Sequence, residues 1–276
     1  MNPLPQTFIS WDGTRIFYQK EVPYLPKAII IISHGYSEHS DLYKETMACF
    51  VEEGYGVYVI DHRGNGRSEG EKGNIEKFEY FLKDFHALVQ RIQDEYPQAS
   101  LYTLGHSMGG LISLLYAIQY PKHLQGQMFI GPAWGPPWGL HQISPQVYEK
   151  VLRTFSDAKL HRIFHGITCR DKEYIQLRKE DPYKLEYSTM GFFHEFLYRG
   201  ITMAGTSFIE YTLPCLILHG TEDKVIPYEH SQYAFEQMTS QDKTLKLCLG
   251  CYHELLHEPE KGIIHQILLQ WLEERI

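Results

Sequence analysis

The sequence of 276 residues predicts an α/β fold in which a mostly parallel sheet is flanked by helices. Apolar, β-branched runs recur along the chain, and segments with a helical spacing of apolar residues lie between them. Because parallel strands need a long crossover between them, this alternation is typical of a sheet that is covered on both faces. Ligands of such sheets bind beyond the carboxyl ends of the strands, so the residues that follow each strand are the candidates for function.

The strands are predicted in order from their patterns. Within the first thirty residues, TRIFYQKEV alternates apolar and polar positions, which favours an edge hairpin. The later runs are apolar throughout, as in fully buried parallel strands. They are KAIIIISHG, YGVYVIDHRGNG, SLYTLGHS, GQMFIGP, PCLILHGTED and TLKLCLG.

Two helices are predicted from apolar spacing. One buried face recurs three and four residues apart between Phe78 and Ile92. A second helix is expected after Pro259, because proline suits the first turn of a helix. Its single apolar stripe comprises Ile263, Ile264, Ile267, Leu268, Trp271 and Leu272.

The alternation stops between residues 134 and 213. This stretch has no buried-strand pattern and carries charged helical patterns such as CRDKEYIQLRKEDPYKL. We therefore predict a helical cap, or lid, over residues 134–213. It is inserted into a core domain formed by residues 1–133 and 214–276.

Composition narrows the class of protein. Hydrophobic residues make up 43% and charged residues 22% of the chain, as in soluble globular proteins, and the net charge of −8 offers no basic surface for nucleic acid. The first residues lack a secretory pattern, and no apolar run is long enough to span a membrane. The five cysteines do not form a disulfide pattern. We expect a cytoplasmic protein, with peripheral contact to a membrane left open.

The stretch LGHSMGG, residues 104–110, places one serine among three glycines. The spacing Gly105-x-Ser107-x-Gly109 suits a sharp strand-to-helix turn that exposes the hydroxyl group. A serine becomes nucleophilic when a base takes its proton and an acid orients that base. Asp223 and His253 each follow a later predicted strand, so the three residues occur in the order serine, aspartate, histidine.

Four segments resemble one known family. They are SHGYSEHS (33–40), DHRGNGRSEG (61–70), GHSMGG (105–110) and YHELLHEPE (252–260). In these segments, and in their order along nearly the whole chain, the sequence resembles the monoacylglycerol lipase and lysophospholipase branch of the α/β-hydrolase superfamily. The resemblance implies an α/β-hydrolase fold whose helical cap falls at the insertion described above.

The resemblance also implies a role for each site residue. Ser107 is the nucleophile, His253 the general base and acid, and Asp223 the residue that orients it. The backbone N–H groups of Tyr36 and Met108 form the oxyanion hole, in which preorganised donors stabilise the tetrahedral intermediate. The implied substrate is an acyl ester or monoacyl lipid, namely a monoacylglycerol or a lysophospholipid, cleaved through an acyl-enzyme without a cofactor or a metal.

Other residues compete for these roles or have structural ones. Glu222 competes with Asp223 as the acid, and the strand-plus-turn register favours Asp223. We expect the polar loop 61–68 to be structural, because its glycines and polar side chains suit a tight exposed turn. Four further histidines compete with His253 as the base: His257, expected one helical turn on and facing away, His219, and His106 and His34, both expected to brace loops.

The stretch CLGCYHELLH offers four groups that could bind zinc, namely Cys248, Cys251, His253 and His257. Zinc fingers separate two ligand pairs by about a dozen residues, whereas here a single residue separates them. Thiols packed at the end of a strand are therefore the favoured interpretation, and no metal site is predicted.

Three rival functions remain at this point. The chain could be a carboxylesterase for small soluble esters, or a binding protein that uses the same fold without catalysis. It could also be an aminopeptidase, which needs acidic groups in the cap to hold the ammonium group of its substrate. The acidic residues available for that purpose are Glu173, Glu180, Asp181, Glu186 and Glu195.

Overall fold

Eight strands form one sheet in the order β1-β2-β4-β3-β5-β6-β9-β10 in a computed structural model that describes residues 4–140, 143–161 and 168–276. β2 pairs with β1 on one side and with β4 on the other, both in antiparallel fashion, and every pair from β4 to β10 is parallel. The strands are β1 Leu4–Ile9, β2 Arg15–Glu21, β3 Ile29–Ser33, β4 Gly56–Ile60, β5 Leu101–His106, β6 Gly126–Ile130, β9 Cys215–Gly220 and β10 Lys243–Cys248.

Helices cover both faces of the sheet. Because side chains alternate along a strand, Ile29 and Ile31 of β3 pack into the core on one face, and Ile30 and Ile32 pack into the core on the other. None of the helices among the described residues is long and apolar enough to cross a bilayer. Those of the core are α1 Lys44–Glu52, α2 Glu79–Glu95, α3 Met108–Gln119, α8 Glu229–Gln237 and α9 Lys261–Glu273.

The predicted mostly parallel sheet, its edge hairpin and its six later strands are confirmed. The expectation of full burial is wrong for β10, which lies at the edge of the sheet and is half-buried or exposed along its length. An edge strand has no neighbour on one side, so its side chains retain more contact with water. In α9 the apolar stripe is buried except at Ile263, which is 58% exposed, and Ile267, which is half-buried.

The insertion between β6 and β9 contains helices together with a small sheet. Its helices are joined by a π-helical turn, His194–Gly200, and its two short strands pair in antiparallel fashion. The prediction of a purely helical stretch is therefore incomplete. Residues 141–142 and 162–167 of the predicted cap, and residues 1–3 of the core, lie outside the described residues. The elements are α4 Pro145–Thr154, β7 Lys159–His161, α5 Lys172–Glu180, β8 Tyr187–Thr189, α6 Met190–Phe193 and α7 Ile201–Ser207.

Candidate active site

Ser107 occupies a strained turn between β5 and α3. Its φ of 51° lies in the left-handed region that a serine rarely adopts, and α3 begins at the next residue. The glycines make this turn possible. A Cβ atom at Gly109 would lie 1.9 Å from the carbonyl oxygen of Ser33, and one at Gly105 would lie 2.3 Å from Oγ of Ser113. Only a residue without a side chain fits either position, so the sequence spacing produces the predicted strand-to-helix turn.

His253 and Asp223 meet at the ends of β10 and β9. Nδ1 of His253 lies 2.6 Å from Oδ2 of Asp223, and both side chains are buried. The other carboxylate oxygen, Oδ1, accepts the backbone N–H groups of Val225 and Ile226 at 2.7 and 2.9 Å. Glu222, the competing acid, is exposed. The turn after β9 therefore directs the side chain of Asp223, not that of Glu222, at the histidine.

The same contacts determine the charges of this pair. Burial alone would raise the pKa of Asp223, but the neighbouring His253 and His219 hold that pKa well below its usual range. Burial lowers the pKa of His253, and this effect outweighs the attraction of the Asp223 carboxylate. At neutral pH the acid is ionised and the histidine is a neutral base, which are the protonation states that a triad requires.

Tyr36 and Met108 are the two residues whose backbone N–H groups are expected to form the oxyanion hole. Met108 is the first residue of α3, so its N–H has no acceptor within the helix and lies at the positive end of the helix dipole. Tyr36 follows β3, and its ring packs between the cap and the core, with centroids 5.5 Å from those of Phe192 and Phe193. Its hydroxyl group lies 2.8 Å from Oγ of Ser188. The side chain of Tyr36 thus joins the core loop to the insertion.

One pocket opens onto Ser107 and His253, and it is lined by a set of apolar side chains and a set of polar ones, which we call its apolar wall and its polar wall. Its apolar wall comes mostly from the insertion and from the turn after β9. Its polar wall joins the loop after β3 to α5 and to the residue after His253. The apolar side chains are those of Tyr36, Pro137, Ile175, Phe196, Leu197, Val225 and Ile226, and the polar ones those of Ser37, Glu38, His106, Thr168, Tyr174, Arg178, Lys179 and Glu254.

The polar wall contains a buried charge cluster that sequence reasoning missed. Oε2 of Glu38 accepts the hydroxyl group of Tyr43 at 2.6 Å and lies 3.3 Å from Nδ1 of His106. Nε2 of His106 lies 4.0 Å from Oε2 of Glu254. Arg178 of α5 reaches the same loop, where it donates to the carbonyl oxygen of Ser37 at 2.8 Å. The sequence signal for the cluster was that Glu38, His106 and Glu254 lie within three of the segments that resemble the known family.

Charge within this cluster is distributed unevenly. Burial alone would lower the pKa of His106, but the Glu38 and Glu254 carboxylates raise it to about 9. Burial alone would raise the pKa of Glu38, but His106 and Arg178 hold it well below its usual range. Burial and the neighbouring Glu38 charge raise the pKa of Glu254 to about 8. At pH 7 the cluster therefore pairs an imidazolium with one carboxylate and keeps the second carboxyl group mostly protonated.

The remaining histidines occupy other positions. His34 braces its loop as expected, since its Nε2 atom accepts the backbone N–H of His62 at 3.0 Å. His106 braces the same loop through Glu38. His257 lies in a hydrogen-bonded turn after His253, and its ring stacks on Tyr174 at a centroid distance of 3.9 Å. The fourth, His219, contacts Asp223 with its Nε2 atom at 3.0 Å, so two histidines share one acid.

The polar loop 61–68 has the structural role that its composition predicts, but the expectation of an exposed turn is wrong, because every residue of the loop except Arg67 is buried. Asp61 accepts the backbone N–H groups of Ser40 and Arg67 at 2.6 and 2.8 Å, which ties this loop to the loop after β3. Arg63 donates to both oxygens of the buried Asp84 carboxylate at 2.6 Å. These contacts join loop 61–68 to the loop after β3 and to α2.

The candidate zinc ligands do not come together. His253 is bound to Asp223, and Cys251 lies beside Glu258 and Glu260, where Arg170 forms ion pairs with both carboxylates. Among the described residues, the other group with metal-ligand spacing is Glu38, His106 and Glu254. The donors already bound to Glu38 and the nearby Arg178 cation make that group a poor cation site.

The acidic residues proposed for an aminopeptidase lie outside the pocket. The buried Asp181 is paired with His39 and Arg178, and Glu195 accepts the backbone N–H of Phe78 at 3.0 Å. Glu173, Glu180 and Glu186 are exposed. An ammonium group in the pocket would therefore contact none of these five acidic residues.

Comparison with known proteins identifies what this arrangement resembles. The family model described as "Serine aminopeptidase, S33" matches residues 25–260. A monoglyceride lipase from Rattus norvegicus is 31% identical, covering 97% of this chain and 90% of the relative. A monoacylglycerol lipase from Mycolicibacterium smegmatis is 30% identical, covering 96% and 95% of the two chains. The crystal structure of a soluble monoglyceride lipase variant from Saccharomyces cerevisiae has the same fold, with a TM-score of 0.88 at 21% identity over 100% of this chain and 96% of its own.

Proposed function

The chain belongs to the serine aminopeptidase S33 family of α/β-hydrolases, and on this premise we propose that it is a serine hydrolase that cleaves the ester bond of monoacylglycerols. Despite the name of the family, the relatives described above are named as lipases for monoacylglycerol or monoglyceride. The observation that carries the proposal is the single pocket that joins Ser107 and His253 to one apolar and one polar wall.

The proposed reaction runs in two steps. His253 takes the proton of the Ser107 hydroxyl group while Oγ attacks the ester carbonyl carbon, and Asp223 stabilises the imidazolium that forms. The N–H groups of Tyr36 and Met108 stabilise the negative charge on the carbonyl oxygen. His253 then gives its proton to the departing alcohol, leaving an acyl group on Ser107. A water molecule, activated by the same histidine, releases the fatty acid and restores the serine.

The apolar wall supports a single acyl chain as the group that is transferred. Phe196 and Leu197 of the π-helical turn and Val225 and Ile226 of the core line the pocket together. Each buried methylene group contributes about 0.8 kcal/mol of transfer free energy, so such walls discriminate by chain length. We therefore propose a preference for medium to long acyl chains over acetate, and for one chain over two.

The polar wall supports a small hydroxylated leaving group. Tyr174, Thr168 and Ser37 offer hydroxyl groups there, and the charge cluster contributes further donors and acceptors. Such a set of neutral and charged groups can form hydrogen bonds with the hydroxyl groups of glycerol. The cations Arg178 and Lys179 on this wall disfavour the ammonium group that an aminopeptidase binds.

The insertion also offers a surface for a membrane, where such a substrate resides. The outer face of α4 exposes Val147 and Val151, at 55% and 44% of their surface, and Phe155, which follows the helix, is 58% exposed. Tyr148 on the opposite face donates a hydrogen bond to the carbonyl oxygen of Leu197, which lines the pocket. We propose that this face of α4 rests on the lipid surface, and Val151→Lys should then reduce co-sedimentation with phosphatidylcholine vesicles and leave hydrolysis of a soluble ester unchanged.

A substrate panel tests the proposed function. Purified protein is assayed with monoacylglycerols, lysophospholipids, diacylglycerols, p-nitrophenyl esters of increasing chain length and aminoacyl amides, each compared with Ser107→Ala. We expect the highest kcat/KM on monoacylglycerols. A higher kcat/KM on acetate esters would instead identify a small-ester carboxylesterase, and the highest activity on aminoacyl amides an aminopeptidase. Failure of a fluorophosphonate probe to label Ser107 would identify a non-catalytic binding protein.

A further inference from the structure

His219 lies near the end of β9 and contacts the carboxylate of Asp223. Its side chain is completely buried. Nε2 lies 3.0 Å from Oδ2 of Asp223 and 3.1 Å from the carbonyl oxygen of Ile226. Nδ1 lies 2.7 Å from Oγ of Ser231 in α8. The proposed mechanism uses none of these contacts.

The partners of the two ring nitrogens determine the tautomer of His219. Both groups that face Nε2 are acceptors, a carboxylate and a carbonyl oxygen, so Nε2 carries the hydrogen. In the neutral ring Nδ1 is then an acceptor, and the hydroxyl group of Ser231 donates to it. The ring is thus held on both sides, and its N–H is directed at the carboxylate that His253 also contacts.

This arrangement completes the hydrogen bonding of Asp223. Oδ1 accepts two backbone N–H groups, from Val225 and Ile226, whereas Oδ2 accepts from two imidazoles. We infer that His219 is a positioning residue for the reaction, whose Nε2–H fixes the orientation of Asp223 and limits the negative charge that Oδ2 presents to His253. The inference rests on the proposed function, because His219 acts only through Asp223 and His253.

The chemical effect has a definite sign. An oxygen that accepts two hydrogen bonds offers less charge to each donor, so the imidazolium form of His253 is stabilised less than by an oxygen that serves His253 alone. Removal of the His219 donor should therefore raise the pKa of His253. The titratable groups with the largest effect on the pKa of His253 are Asp223, His106 and His219. Asp223, His106 and the neighbouring Glu254 are all unchanged by this substitution.

Three variants separate positioning from simple packing. His219→Leu removes the donor and keeps an apolar side chain in the buried site. His219→Gln keeps an N–H near the position of Nε2. The matched control is His265→Leu, which removes another buried histidine, on α9, where Nε2 contacts Oγ1 of Thr46. Each protein is studied by NMR titration of ¹⁵N-labelled histidine, with the His253 signal assigned by its loss in His253→Gln, and by the pH profile of kcat/KM.

We expect His219→Leu to raise the pKa of His253 in the NMR titration and to shift the acid limb of kcat/KM to higher pH. Its kcat at the optimum should fall about tenfold, because one hydrogen bond to a charged group is lost. In His219→Gln, the pKa of His253 and kcat should both be close to those of the wild type. His265→Leu should change neither quantity.

An unchanged pKa of His253 in His219→Leu overturns the inference, as does an equal effect of the Leu and Gln variants. The NMR titration needs no substrate. If the wild-type protein hydrolyses no ester, the proposed function fails, while the His253 titration still decides whether His219 controls the Asp223–His253 pair.

Discussion

Oε2 of Glu38 lies 2.7 Å from the backbone nitrogen of Gly35, so a buried carboxylate holds the loop that precedes Tyr36. The same oxygen accepts from Tyr43 and lies within hydrogen-bonding distance of His106. The loop that carries one proposed oxyanion donor is therefore anchored to the residue next to the nucleophile. Backbone donors stabilise an oxyanion only when they are held in position before the reaction.

Glu38→Gln should consequently lower kcat about tenfold and change KM little, because the amide weakens the anchor while the pocket walls remain. Steady-state kinetics with a monoacylglycerol provide the measurement. Tyr43→Phe, which removes only one of the donors to Glu38, should have a smaller effect. A change in KM alone would assign Glu38 to substrate binding instead.

Ser107→Ala and His253→Ala should each lower kcat by at least about four orders of magnitude. The residues of a triad act as a unit, so the double variant should be little worse than either single variant. Thermal unfolding should show that both single variants remain folded. Turnover near that of the wild type in either one would contradict the assignment.

Asp223→Asn should lower kcat by roughly three to four orders of magnitude, because an amide cannot stabilise the imidazolium and favours the wrong tautomer of His253. Glu222→Gln is the matched control, since the neighbouring side chain is exposed and should be replaceable without loss of activity. The reverse pattern in the same kinetic assay would identify Glu222 as the acid.

Gly109→Ala should abolish activity and sharply destabilise the protein, because its Cβ atom would lie 1.9 Å from the carbonyl oxygen of Ser33. Gly205→Ala is the control. A Cβ atom at Gly205 in α7 meets open space, and alanine should raise the free energy of unfolding there by about 0.5–1 kcal/mol. Urea unfolding of both variants measures the contrast, and a stable, active Gly109→Ala would exclude the turn geometry described above.

Glu254 should make the stability depend on pH. Its pKa is about 8 in the folded protein, against about 4.3 for an unfolded glutamate. Between these values the folded state binds the proton more tightly, so this group lowers the free energy of unfolding as the pH rises through that window. The glutamine of Glu254→Gln does not titrate. The free energy of unfolding of this variant, relative to that of the wild type, should therefore increase from pH 5 to pH 8.

Urea unfolding at several pH values measures this difference. Glu236→Gln on the exposed side of α8 is the control and should keep a constant difference from the wild type. A constant difference for Glu254→Gln as well would show that Glu254 is ionised in the folded protein throughout this range.

Much of this architecture could be predicted from the sequence, since its signals are local. The apolar run 29–32 can be buried only in the middle of a sheet, and the glycines around Ser107 are required by contacts within the same turn. The residues that follow the strands could be placed at one edge of the sheet for the same reason. The edge position of β10 could not be predicted from the sequence, because it depends on the order of all eight strands.

The alternating fold, the strained serine turn and the order of the serine, aspartate and histidine along the chain all follow from local sequence patterns. Which side chains share the pocket depends on the tertiary structure. Glu38 and His106 are 68 residues apart, and Arg178 is 141 residues from Ser37. Such contacts produce no periodic pattern or fixed spacing in the sequence, because they form only when the sheet has assembled and the insertion packs over its edge. The same holds for His219, whose role depends on a carboxylate that it shares with a histidine from another strand.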